Sequence, residues 1–359
     1  MRKTTIFYLL LILLGAFLLR LLLYNVGTFY MDVNSFIAWS RILLKEGLSG
    51  FYPSVWSDYL PGYLYILWVL GKLKEFIPVN DLLFFKLPAM LADLATGVLI
   101  FSIVKKLKGE RLGLISTSLY VFNPAIIVNS TLWGQVDSFT AFFLVLSIYL
   151  TRLYPTLSLL ALSFGTLVKP QVALAAPVIL FIMVKEKWKI KNIVGYSLAA
   201  LTLFIIAFLP FYPGQPGFFP FVVERVLITL NQYPFGSVNA FNFWGLWGFW
   251  KPDGLGLFSP KILGLIFFGL ISLFATIKLW KRKSSEYLLA AILASANFLF
   301  FTRMHERHLL PALAPLVIAA ALNPVLLIPY LGFSSTYVLN LYYAFEQQAV
   351  TKSGIFTLF

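Results

Sequence analysis

The chain of 359 residues is 60% hydrophobic, 18% aromatic and only 12% charged, with a mean hydropathy of +0.86. That excess of apolar side chains excludes an ordinary water-soluble domain and points to a membrane protein. The net charge of +14 sits in short clusters between apolar runs, as in cytoplasmic membrane loops rather than on a nucleic-acid-binding surface, and the lack of cysteine excludes disulfides and thiolate metal sites.

In chain order, "MRKTTIFYLLLILLGAFLLRLLLY" opens with charge and stays apolar past the length of a signal peptide, so it reads as a retained first membrane helix. Apolar runs of about 20 residues recur, whereas a β-barrel would show short alternating segments. The expected fold class is all-α: a polytopic transmembrane helical bundle forming one domain over 1–359. The most basic loops, "KKLKGER" (105–111), "KEKWKIK" (185–191) and "KLWKRK" (278–283), belong with "MRK" on the cytoplasmic side.

That requirement allows only one of the two apolar runs before 105 to cross. The shorter, 60–73, begins "LPGYLY" and is expected to lie along the outer face within a long first external loop; 82–104 crosses. Further crossings are expected at 112–130, 138–152, 156–168, 171–184, 193–211, 260–280, 286–302 and 309–322, with one or two more near the end. Pro155, Pro170 and Pro311 fall at helix edges, where a missing N–H costs least. This topology collects Asp32, Asp58, Asp137, Lys169, Arg303, His305 and Arg307 on the outer side.

Each polar cluster there has a structural reading and a chemical one. In "YMDVNSF", Asp32 either caps an interfacial helix or serves as a general base near hydrocarbon. In "WGQVDS", Asp137 caps the next helix or joins Asp32 as a second site carboxylate, with Trp133 and Gln135 offering a stacking surface and an amide for sugar hydroxyls. Lys169 in "TLVKPQVAL" snorkels or binds an anion. Lys86 and Asp93, inside an apolar run and seven positions apart, face protein rather than lipid. "RMHERHLLP" gathers Arg303, His305, Glu306, Arg307 and His308, and if the helix continues its two arginines share a face suited to phosphate. "NQYPFGSVNAFNFWGLWGFWKPDG" sets Asn239, Asn242 and Trp244 among aromatic rings, as an interfacial belt or a sugar-binding surface. No Gly-rich phosphate loop or Ser-His-Asp arrangement accompanies them.

On "YMDVNSF", "LPGYLY", "FKLPAMLADL", "NPAIIVNSTLWGQVDS", "SVNAFNFWGL" and "RMHERHLLP", the chain resembles the GT-C superfamily of polytopic glycosyltransferases. It is most similar to prokaryotic proteins related to the mannosyltransferase that adds the second mannose of GPI anchors. The resemblance implies loop helices after the first crossing, a polyprenyl- or dolichyl-phosphate sugar donor, inversion at the anomeric carbon, an outer-face active site in a prokaryotic plasma membrane, and an aspartate of the first external loop as base. Asp32 matches that base, and Asp137 a second acidic position.

The expected reaction is transfer of a hexose such as mannose to a glycan or glycolipid, with Asp32 and Asp137 catalytic. Arg303, His305, Arg307 and Lys169 would hold the donor phosphate, and Trp133, Gln135, Asn239, Asn242 and Trp244 the sugars or acceptor. No cofactor is required, although Asp32 with Asp137 has the chemistry to hold a divalent ion. The alternatives are a transporter or flippase of lipid-linked sugar, with ionisable groups along a path through the membrane, and a non-catalytic scaffold subunit.

Overall fold

The computed structural model describes residues 2–352 and is almost entirely helical. Helix α1 (Lys3–Leu23) is followed by α2 (Tyr30–Ser54), kinked at Gly47, and by α3 (Pro61–Lys74). Next come α4 (Asp81–Lys108), α5 (Glu110–Val121), the short α6 (Pro124–Ile127) and a π-helical turn, Val128–Trp133. Helices α7 (Asp137–Leu150), α8 (Pro155–Val168), α9 (Ala175–Lys185) and α10 (Ile190–Ile206) lead to an amphipathic α11 (Phe218–Asn231). The chain closes with α12 (Pro260–Leu279), α13 (Glu286–Phe300), α14 (Leu310–Leu322) and α15 (Leu327–Lys352). The strands β1 (Ser237–Val238) and β2 (Met304–His305) pair in parallel.

Among the described residues five helices are long and apolar enough to cross a membrane, and a sixth span arises if the pair 110–121 and 124–133, bent by 46°, counts as one. The protein is therefore a multi-pass helical membrane protein. The expected straight crossing at 112–130 is broken instead, because Pro124 cannot supply the N–H that an uninterrupted helix needs there. Near the end a single helix, α15, accounts for the described residues; 353–359 lie outside them. Pro155 and Pro170 open their segments, and Pro311 is the second residue of α14.

Layering follows from burial. Helix α14 is buried along nearly its whole length and α4 over much of its own, while α1, α10 and α12 show long rows of exposed leucine, isoleucine and phenylalanine, the surface expected against lipid tails. The basic loops meet at one end, where Arg152 reaches Glu186 and Glu286 (2.5 Å to the latter) and Lys105 pairs with Glu110. At the opposite end α2 and α3 form a second aromatic core with α11 and the tips of α8 and α10, built around Phe36, Phe51, Tyr63, Phe208 and Phe211. Helix α3 has 14 residues, about 21 Å at 1.5 Å per residue, too short to span hydrocarbon. It presses on α8 so closely that a Cβ on Gly62 would lie 2.4 Å from the backbone of Leu167 and Val168.

Three buried ionic side chains hold the centre. Arg20 of α1 pairs with Asp93 of α4 at 3.1 Å, both fully inaccessible, and Ser130 of the π turn donates to the same carboxylate oxygen at 2.6 Å. Lys86, one turn into α4 from its N-terminal end, points its ammonium at the carbonyls of Tyr24, Thr131 and Leu132 and the hydroxyl of Thr28, all within 2.6–2.9 Å. Replacing it strands several buried acceptors. Lys86→Met should therefore lower folding stability by about 3 kcal/mol or more, read as a fall in the thermal unfolding midpoint of detergent-solubilised protein; an unchanged midpoint would show the clamp to be dispensable.

Candidate functional site

The polar step between α5 and α7 is the floor of the site. Asn123 caps α6, accepting from the amide of Ala125 at 2.8 Å, and is itself held by Tyr330 and Ser334 of α15 at 2.7 and 2.6 Å. The π turn ends at Gly134, whose φ of +90° favours glycine. A Cβ there would also meet Val33 at 2.6 Å and Lys86 at 2.9 Å, so the turn can seat against α2 and α4 only without a side chain.

This floor fixes Asp32. Its Oδ2 accepts from Trp133 Nε1 at 2.8 Å and from Gln135 Nε2 at 2.6 Å, while Oδ1 takes no part in either bond. Asp32 does not cap α2: Phe29 holds that position, and no side chain caps the helix. Trp133 and Gln135, expected to meet sugar directly, are instead buried behind the carboxylate. One face of Trp133 is stacked on Phe29 at 4.2 Å, and Gln135 Oε1 accepts from the amide of Val136.

Asp137 likewise caps nothing. It pairs with Lys169 at 3.2 Å and accepts from Asn129 at 3.2 Å, and Asn129 also donates to Tyr337, whose hydroxyl donates to the carbonyl of Arg307 at 3.0 Å. One continuous buried network thus joins α8, the π turn, α7, α15 and the 306–309 segment. Lys169, at the end of α8, is held at the site by this pairing, with Nζ 5.4 Å from the ring of Tyr59.

The arginine-histidine segment departs from the expected geometry. Helix α13 stops at Phe300, so Arg303 and Arg307 do not share a helix face. Arg303 adopts a φ of +66° and turns to Asp253 (2.7 Å), the carbonyl of Leu230 and Asn231 Oδ1, whereas Arg307 reaches Glu306 at 2.8 Å and its Nε has no partner among the described residues. Nor are the histidines cations. Burial and the Arg307 charge hold the His305 ring well below its ordinary range and push His308 down to about 3. His308 Nδ1 accepts from the amide of His305 at 3.2 Å.

Asn239, Asn242 and Trp244 belong to the supporting loop. Asn242 accepts from the amide of Gly245, Trp244 Nε1 donates to the carbonyl of Phe300 at 2.6 Å, and Asn239 accepts from Trp250 at 2.9 Å. These bonds brace the 301–309 segment, since β1 pairs with β2 and Asn239 bridges to His305.

Beside the carboxylates lies a cavity of about 430 Å³ whose lining includes Lys169, Lys261, Arg303, Arg307, His305 and Asp58. Four cationic side chains therefore face one acidic group, and burial pushes Asp58 above the usual carboxylate range. Asp32 is not part of that lining but lies near enough for its charge to act on Asp58, Glu306 and Arg307. The cavity edge continues to Leu227, Leu230 and Leu265, each about half exposed on the lipid-facing surfaces of α11 and α12. Lys261, Gln171 and Asp253 carried no distinguishing signal in the sequence, because each gains its place only when distant segments meet. Among the described residues no group of three or more His, Asp or Glu is arranged to hold a metal ion.

No protein-family profile matches the chain, and no curated protein matches it significantly.

The two rings stay neutral in the fold at pH values where the unfolded chain, with an ordinary imidazole value of 6.5, binds protons. Their contribution is thus complete above about pH 6.5 and declines as pH falls below it. Asp58 and Glu306, raised by burial, take up protons in the fold and oppose that decline. The thermal midpoint of His308→Asn should therefore depend less steeply on pH between 6.5 and 5 than that of the unaltered protein. Parallel curves would mean that His308 titrates freely.

Proposed function

We propose that this protein is an inverting glycosyltransferase of GT-C type that moves a hexose from a polyprenyl-phosphate donor to an extracytoplasmic glycan or glycolipid acceptor. The observation carrying this reading is the junction of three features at one end of the bundle. A carboxylate is fixed through one oxygen with the other left free, a cation-lined cavity lies beside it, and that cavity opens toward lipid between α11 and α12.

The donor phosphate sits against Lys169, Arg307, Lys261 and Arg303, with its polyprenyl tail along Leu227, Leu230 and Leu265. An acceptor hydroxyl attacks the anomeric carbon from the side opposite the phosphate. The new C–O bond forms as the bond to the phosphate oxygen breaks, the electron pair leaves with the phosphate, and the proton passes to Asp32. Charge grows on the phosphate during the step, so fixed cations favour the transition state over the ground state. A phosphate monoester leaves without strong acid assistance, and one base suffices, unlike the acid-base pair of glycosidases. Asp137 acts by holding Lys169 in place. With the basic loops facing the cytoplasm, the site faces outward, as for a prokaryotic plasma-membrane enzyme using externally exposed lipid-linked sugars.

The transporter reading gains nothing from the intramembrane charges. Arg20, Asp93 and Lys86 are bonded to one another or to backbone and hydroxyl groups rather than ranged along an open path.

Asp32→Asn should keep the fold and lower product formation from polyprenyl-phosphate hexose by about 10² to 10⁴; turnover within a few-fold of the unaltered protein would remove Asp32 as base. Arg307→Ala should raise the donor KM far more than the acceptor KM, measured by product mass spectrometry. Unaltered donor kinetics would displace the phosphate from this cavity.

A further inference from the structure

Asp58 has no task in the chemistry above, yet it is the acidic member of the cavity wall. Its loop is tied down on both sides: its own carbonyl accepts from Thr229 at 2.7 Å, the carbonyl of Tyr59 accepts from Tyr52 at 2.8 Å, and Ser57 accepts from the amide of Tyr59 at 3.2 Å. The Asp58 side chain is thereby held at the wall, and among the described residues no hydrogen bond or ion pair from another residue reaches its carboxylate. In the segment after α8, Gln171 lines the same cavity with a buried Oε1 that has no hydrogen-bond partner among the described residues.

These two acceptors, which no neighbouring residue supplies with hydrogens, sit in the wall of a cavity whose other charged side chains are cations, and they suit a ligand that brings donors of its own. Phosphate cannot, because it has only acceptors to offer and would be repelled by Asp58. Hydroxyl groups can, and a carboxylate takes two from adjacent carbons at once.

Resting on the transferase reading, we propose that Asp58 and Gln171 form the subsite that recognises hydroxyls of the sugar carried by the donor phosphate, and so select which hexose is transferred. The phosphate lies toward Lys169 and Arg307, and the sugar, one bond away, fills the space between those cations and Asp58. Replacing the carboxylate then removes sugar recognition without removing the phosphate site.

The test is equilibrium binding to the full-length protein in detergent, using bare polyprenyl phosphate and the polyprenyl-phosphate derivatives of mannose, glucose and galactose. The unaltered protein should bind one glycosylated lipid on the order of ten- to a hundredfold more tightly than bare polyprenyl phosphate, the gain expected of charge-assisted hydrogen bonds. Asp58→Asn should erase most of that preference and Gln171→Leu part of it, and Asp58→Asn should bind bare polyprenyl phosphate as well as before or more tightly, since a repelling charge is gone. An intact preference in Asp58→Asn, equal weakening of all the lipids, or no preference in the unaltered protein would each overturn the proposal. A preference that depends on Asp58 in a protein that transfers sugar to no acceptor would uphold the subsite while refuting the transferase.

Discussion

A helix interrupted inside a bilayer leaves carbonyls that water cannot reach, and the fold depends on how this chain satisfies them. Lys86 does so with one ammonium, gathering carbonyls from the end of α1 and from the π turn before Gly134. Arg20, Asp93 and Ser130 lock the same turn from its other side. Irregular backbone at this depth is tolerated only because it is walled in by protein, and the two ionic clamps supply that wall between α1, α4 and the break.

The site inherits its rigidity from that constraint. Trp133 and Gln135, positioned by the clamped turn, fix one oxygen of Asp32, and Asn129 of the same turn steadies Asp137. From Asp137 the order passes to Lys169 and, through Asn129 and Tyr337, to the backbone of Arg307. Charges that would be expensive to bury alone are kept at the cavity by carboxylates: Asp137 for Lys169, Asp253 for Arg303 and the adjacent Glu306 for Arg307. Aromatic packing of α2 and α3 against α8 then closes the end of the bundle over the site, with Gly62 permitting the close approach.

Much of this was legible in the sequence and some was not. The long apolar first helix, the short apolar run at 60–73 and the gathering of acidic and basic residues at one end all follow from hydropathy and loop charge, which act locally. The protein-facing placement of Lys86 and Asp93 follows from the cost of exposing charge to lipid. The roles of Trp133 and Gln135 as supports of Asp32, and of Asp137 as the partner of Lys169, were not legible. A capping residue, a sugar ligand and an ion-pair member look alike until the opposing helix is in place. The divergence of Arg303 and Arg307 was hidden for a similar reason: Asp253, fifty positions from Arg303, decides where its guanidinium turns.

The sequence by itself determined that the chain is a multi-pass helical protein with its basic loops on one side, because apolar length and loop charge are properties of contiguous residues. Only the tertiary structure decided which oxygen of Asp32 stays free, which histidines remain neutral and where a cavity opens. Those outcomes depend on burial and on charges brought together from α2, α7, the end of α8 and the 301–309 segment, and no local pattern encodes such distances.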